Sequence, residues 1–150
     1  MTFWFIFQRH DVLLERLADG TYTIPCANNS PIAPSPKTHI LNVMPALPQA
    51  DVKTFNVTPA TPIDENQYEW CDLRASYYKL SHELYLKAGK CHELLYWDTS
   101  TQYCGVCGTP MIMQTDISKR CPNCGKEVWP QLATAIIVLI HKGEEALLVK

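Results

Sequence analysis

Two Cys-x-x-Cys-Gly segments, Cys104-Gly105-Val106-Cys107-Gly108 and Cys121-Pro122-Asn123-Cys124-Gly125, constrain this chain more than any other feature. A two-residue gap lets both sulfurs of a pair face one point. The glycine that follows tolerates the positive φ needed to tuck backbone amides under those sulfurs. Thirteen residues separate the pairs, enough for the short hairpin of a zinc ribbon. Four thiolates so spaced can close a tetrahedron. Zinc (Zn2+) suits it best, having no geometric demand beyond the tetrahedron and accepting soft sulfur ligands. Iron in a rubredoxin-like site and two disulfides are the alternatives. The expected metal ligands are Cys104, Cys107, Cys121 and Cys124. Because four protein ligands leave no position for water or substrate, the expected role is structural, with no catalytic residue assigned.

A hydrophobic content of 47% over 150 residues supports a real core, in one medium domain or two small ones. The net charge of -2 argues against a dedicated nucleic-acid binder, which carries a basic surplus. Seven cysteines are present, and the metal spacing claims four. Cys26, Cys71 and Cys91 are left, read as small buried hydrophobes in a reducing compartment. Phe3 to Phe7 is apolar but has neither a basic leader nor a small-residue cleavage site, so it does not read as a signal peptide. The longest apolar run, Ala135 to Ile140, is far too short to span a bilayer. The expected location is cytoplasmic, with no membrane partner.

Phe3-Trp4-Phe5-Ile6-Phe7 and Val12-Leu13-Leu14 predict a hairpin, and Thr21 to Ile24 a further short strand. Four prolines between residues 25 and 38, with Asn28, Asn29, Ser30 and Ser35, predict a loop. Ile40 to Val43 and Lys53 to Val57 read as strands of the same sheet. After Trp70, Leu73, Tyr77 and Leu80 fall on one helical face, and Ser81 caps a second helix. That helix runs to about Asp98 with Leu84, Ala88, Cys91 and Leu95 on one stripe. The expected fold class is α+β: an N-terminal sheet-plus-helices domain (1–98), a zinc ribbon (99–128), and the first strands of a further domain (129–150). Ala135 to Ile140 reads as a central strand buried on both faces, residues 141–145 as a turn, and Ala146 to Val149 as its hairpin partner. A strand of that kind needs another layer to cover it, which suggests a longer protein cut just inside its next domain.

The order of parts is specific. Leu73-Arg74 and a helix ending Glu93-Leu94-Leu95-Tyr96-Trp97 precede the two cysteine pairs, and Trp129-Pro130 leads into an Ile/Val-rich strand. From about Leu73 onward this resembles the NADH pyrophosphatase (NAD diphosphatase) family of the Nudix superfamily. The resemblance implies hydrolysis of NADH or NAD to a nicotinamide mononucleotide and AMP, or removal of NAD caps from RNA. It also implies Mg2+ or Mn2+ as catalytic ions and a homodimer. Of the family's site residues only the zinc quartet has counterparts here. Gln131 stands where the family carries arginine after the aromatic-Pro pair. The Nudix box is missing, and the one glutamate pair after the ribbon, Glu144-Glu145, lies in an expected turn. These 150 residues are therefore expected to be inactive on their own.

The competing reading is a non-catalytic zinc-ribbon module that binds protein or nucleic acid. Lys119, Arg120 and Lys126 would form a small basic patch, nearly cancelled by Asp116 and Glu127. A redox role for the cysteine pairs lacks the thioredoxin-like βαβ context. His10, His39, His82, His92 and His141 are scattered and show no metal-ligand spacing. Trp97, Tyr103 and Trp129 flank the ribbon and are expected to pack between domains rather than to stack on a base.

Overall fold

The structure is a computed structural model that describes residues 1–44, 46–47, 50–131 and 135–148. Its centre is β1 (Thr2–Gln8), the apolar aromatic run. Side chains alternate across a strand, so Phe5 and Phe7 face one side while Trp4 and Ile6 face the other. Both sides are covered, which is what an unbroken apolar strand requires. Phe5 and Phe7 join Val12, Leu14, Ile24, Val43 and Val52 in the larger core; Trp4 and Ile6 join Leu13 and Phe55 in the smaller.

The expected hairpin forms. β2 (Asp11–Arg16) pairs antiparallel with β1 through a two-residue turn at Arg9 and His10, with Arg9 at φ 57°. β6 (Asp51–Asn56) runs parallel to β1 from Thr2↔Asp51 to Phe7↔Asn56. The buried Thr54 hydroxyl donates to the Phe5 carbonyl at 2.7 Å. β3 (Tyr22–Thr23), β4 (Cys26–Ala27) and β5 (Leu41–Asn42) are short additions on β2, β1 and β6.

Two expectations fail here. No α-helix forms over Leu73 to Leu80. β7 (Tyr68–Asp72) instead pairs with β2 along five residues, and a single 3-10 turn, Ala75–Tyr78, follows it. The Leu73 amide donates to the His10 carbonyl, so the chain stays committed to the sheet edge. Asp72 Oδ1 then accepts from the amides of Arg74 and Ala75 and starts a tight turn, in which Ser76 alone is buried. The second failure is at Ala135 to Ile140, which forms no strand and is exposed along its length. Pairing begins only at the turn, where β11 (His141–Lys142) meets β12 (Glu145–Ala146) around Gly143 at φ 61°. One bond continues the hairpin outward, from the Leu147 amide to the Ile140 carbonyl. Among the described residues no second layer lies over this run, so nothing buries it and only Ile140 is paired. The expected strand end at Val149 lies outside the described residues, as do Ala133 and Thr134 before the run.

The one long helix among the described residues, α1 (His82–Ser100), starts as expected at Ser81, whose Oγ accepts from the Leu84 amide at 3.3 Å. Its buried face carries Ala88, Cys91, Leu94, Leu95, Trp97 and Asp98. The first five pack into the larger core, which places the end of α1 beside the ribbon. No helix among the described residues is long and apolar enough to cross a membrane.

Candidate metal centre

The ribbon is a three-stranded antiparallel sheet of β8 (Ile112–Thr115), β9 (Ser118–Arg120) and β10 (Glu127–Val128). Each cysteine pair forms a knuckle before a strand, and the two knuckles repeat one hydrogen-bond pattern. The Cys104 amide donates to the Thr109 carbonyl and the Cys121 amide to the Lys126 carbonyl, at 2.9 and 2.8 Å. Gly108 and Gly125 donate back to the carbonyls of Cys104 and Cys121. Both glycines sit at positive φ, +71° and +75°, where a side chain would be strained. Amides aim at sulfur: Val106 N lies 3.4 Å from Cys104 Sγ, and Cys124 N 3.5 Å from Cys121 Sγ.

The two knuckles bring all four sulfurs within 4.8 Å of one another. Cys104 Sγ and Cys124 Sγ are 3.5 Å apart, and Cys107 Sγ and Cys121 Sγ 3.4 Å. A tetrahedral zinc with bonds of about 2.3 Å has sulfurs about 3.8 Å apart along each edge. Those two edges are thus within a few tenths of an ångström of that tetrahedron, and the four cysteines are free thiols rather than disulfides.

Electrostatics point the same way. The Thr109 hydroxyl and amide, with Asn123 and Cys121, pull the Cys107 thiol down to about 5. The amides of Val106 and Cys107 lower Cys104. At Cys124 the Lys126 amide also lowers the pKa, but the three neighbouring sulfurs outweigh it and push the thiol up to about 11. Four thiolates this close repel each other unless a cation sits between them. The donor set therefore fits a thiophilic tetrahedral ion such as zinc, which would neutralise the cluster and cross-link the knuckles. Apart from Cys104 and Cys121, no apolar residue of the ribbon is buried, so little else holds it together.

Of the three basic residues Lys119, Arg120 and Lys126, only the last two are exposed. Lys119 is only 2% exposed, because β9 turns it inward onto the end of α1. Its ammonium lies 2.7 Å from Asp98 Oδ1, donates to the main-chain carbonyls of Asp98 and Thr101, and sits 5.3 Å from the centre of the Trp97 ring. Oδ1 receives no well-aligned hydrogen bond, so that contact is ionic rather than directional. The other carboxylate oxygen is 3.2 Å from His39 Nδ1. Arg120 lies near Glu127, at 3.8 Å. The flanking aromatics divide: Trp97 is buried as expected, whereas Tyr103 (69%) and Trp129 (53%) are largely exposed. Trp97 and Trp129 line a cavity of about 280 Å3 with Tyr96, Thr101 and Val128. Glu144 and Glu145 are exposed at the hairpin turn, as expected.

Sequence reasoning missed Asp98, although the signal was there. Asp98 follows Leu94 and Leu95 by four and three residues and lies seven after Cys91, on the stripe that faces the core. A carboxylate on a buried stripe needs a cation.

Residues 1–97 match the family model of the NADH pyrophosphatase-like rudimentary NUDIX domain. The chain belongs to this family. Residues 99–128 match the NADH pyrophosphatase zinc ribbon domain. Similar curated proteins include the NAD-capped RNA hydrolase NudC of Deinococcus radiodurans, 44% identical over 72 residues, which are 47% of this chain and 26% of that protein. The protein of the same name from Chromobacterium violaceum is 30% identical over 83 residues, 55% of this chain and 31% of that one. That from Stutzerimonas stutzeri is 30% identical over 90 residues, 59% and 33%. The match thus spans a third or less of each relative.

Proposed function

We propose that these residues are the N-terminal (1–98) and zinc-ribbon (99–128) modules of a Nudix pyrophosphatase, with 129–150 beginning its catalytic domain. Cys104, Cys107, Cys121 and Cys124 hold one structural Zn2+. The observation that carries this reading is the convergence of the four sulfurs at the end of a rudimentary NUDIX domain. The substrate is the pyrophosphate of NADH or NAD, free or as the cap of an RNA, a reading supported by the names of the relatives and of the family. The enzyme acts as a cytoplasmic homodimer with Mg2+ or Mn2+. The ligands of those ions are not among these 150 residues, because a Nudix centre needs clustered carboxylates and the sequence offers only Glu144-Glu145 after the ribbon. The modules themselves are structural and do not turn over substrate.

The rival reading, a ribbon that binds nucleic acid or protein without catalysis, loses part of its support with the burial of Lys119. Two assays decide. The purified chain should carry one zinc and release no AMP from NADH with Mg2+ or Mn2+. Exchanging the corresponding segment of the Deinococcus relative for residues 1–128 should preserve hydrolysis of NAD-capped RNA. AMP release by the 150 residues, or an inactive but folded exchange protein, would overturn the reading.

A further inference from the structure

One buried carboxylate joins three separate parts of the molecule. Asp98, 4% exposed, belongs to the last turns of α1. Its Oδ1 faces Lys119, which stands on β9 two residues before Cys121. Its Oδ2 faces His39, which ends the proline-rich loop. His39 lines a polar cavity of about 260 Å3, together with Lys37, Thr38, Asn56, Asp98 and Gln102. The Gln102 amide donates to the Asp98 carbonyl at 2.6 Å, so the helix end is fastened from this side too.

From this arrangement we propose that the metal state of the cysteine centre is communicated to the polar cavity through Lys119, Asp98 and His39. Of the ribbon's aliphatic side chains only the half-buried Val128 on β10 packs against the core, so the position of β9 depends mainly on the two knuckles that the metal clamps. With metal bound, β9 presents the Lys119 ammonium to the end of α1. It neutralises Asp98 and caps two carbonyls, and Asp98 then holds His39 and the cavity wall. Without metal, β9 loosens and Lys119 withdraws. A buried carboxylate with no cation cannot stay buried, so the last turn of α1 opens toward water and releases His39. The two arrangements are a latched and an unlatched cavity. The proposal rests on the metal reading given above.

Amide exchange on the 150-residue chain, with and without a zinc chelator, tests the relay, and elemental analysis reports zinc independently. The readouts are residues 97–102 and, within 36–40, the Thr38 amide that donates to the Ser35 carbonyl, with the indole N–H resonance of Trp97 as a third probe. Removing zinc from the wild type should speed exchange in both segments by about tenfold or more and shift the Trp97 signal. Lys119→Met should keep zinc yet show the fast exchange in both segments. Its zinc affinity should fall by the same factor, since coupling is reciprocal. His39→Ala should speed exchange at 36–40 alone. Should Lys119→Met fold poorly, Lys119→Met with Asp98→Leu replaces the ion pair by apolar contacts. That protein should restore slow exchange at 97–102 while 36–40 stays fast and indifferent to zinc. Zinc bound at one per chain, with neither segment responding to its removal or to Lys119→Met, overturns the relay alone. A wild-type chain that binds no zinc overturns the metal reading, and the relay with it.

Discussion

Replacing Cys121 by serine removes the most buried of the four sulfurs, 1% exposed, and the sulfur that receives the Cys124 amide. Structural zinc sites contribute about 10–16 kcal/mol of apparent binding free energy at neutral pH. If the four bonds share this evenly, one lost ligand costs about 2.5–4 kcal/mol, roughly sixtyfold to several hundredfold in Kd. A serine hydroxyl does not replace the bond, because it stays protonated at neutral pH. Cys121→Ser should therefore lose its zinc in the presence of a competing chelator that leaves the wild type loaded. Residues 99–128 should then become susceptible to protease, since no apolar core remains to hold them. The sheet around β1 should survive, because its cores draw nothing from β8 or β9. Elemental analysis, limited proteolysis and circular dichroism on the same sample would show all three. A variant that keeps zinc with unchanged affinity, or one whose N-terminal sheet unfolds together with the ribbon, would refute the reasoning.

Gly125→Ala forces a side chain into φ +75°, with no steric clash, so the cost should be backbone strain of about 1–2 kcal/mol and a zinc affinity about tenfold weaker, read by chelator competition. Glu69 is held below its usual value by Lys79, then by Tyr22 and Arg16. Its folded-state pKa lies below the unfolded one, so the stabilisation is present above about 4.5 and is lost as pH falls through the folded value. Glu69→Gln should thus cost about 1 kcal/mol at pH 7, as the group is partly exposed, and nothing once the wild-type carboxyl is protonated, as urea titrations at several pH values would show. Burial pushes the Cys91 thiol up to about 12 and raises Cys71 as well, so alkylation of the native zinc-loaded chain at pH 8 should label Cys26 first and Cys91 only on unfolding. Early labelling of Cys91, by peptide mass mapping, would contradict the placement of α1.

The parts legible in the sequence are those whose cause is local. Each knuckle needs only its own six residues, so the convergence of the four cysteines could be read from spacing. The β1–β2 hairpin and the Ser81 cap are equally short-range. β7 was lost because its partner, β2, is more than fifty residues earlier, and because Leu73, Tyr77 and Leu80 mimic a helical face by their spacing. The structure shows what that pattern hides: Tyr77 is exposed, and Leu73 and Leu80 pack on the core from opposite ends of a tight turn. Lys119 was illegible for a deeper reason. A Ser-Lys-Arg triplet reads as surface anywhere, and its burial comes only from docking β9 on the end of α1.

That docking makes one further demand on the molecule. The two family matches end at residue 97 and begin at 99, and Asp98 lies between them. Its side chain is therefore satisfied by neither module alone: one supplies His39 and the other Lys119. The cost of a substitution should depend on whether both modules are present. In the 150-residue chain, Asp98→Leu strands the buried Lys119 ammonium and should cost about 3–5 kcal/mol. In a protein ending at Gln102 no ammonium is there to strand, and water reaches the helix end, so the same change should fall within about 1 kcal/mol of neutral. Urea unfolding of the four proteins, followed by far-UV circular dichroism, measures the difference. Equal losses in the long and short forms would mean that Asp98 serves the helix by itself, and that the ribbon leans on α1 through some other contact.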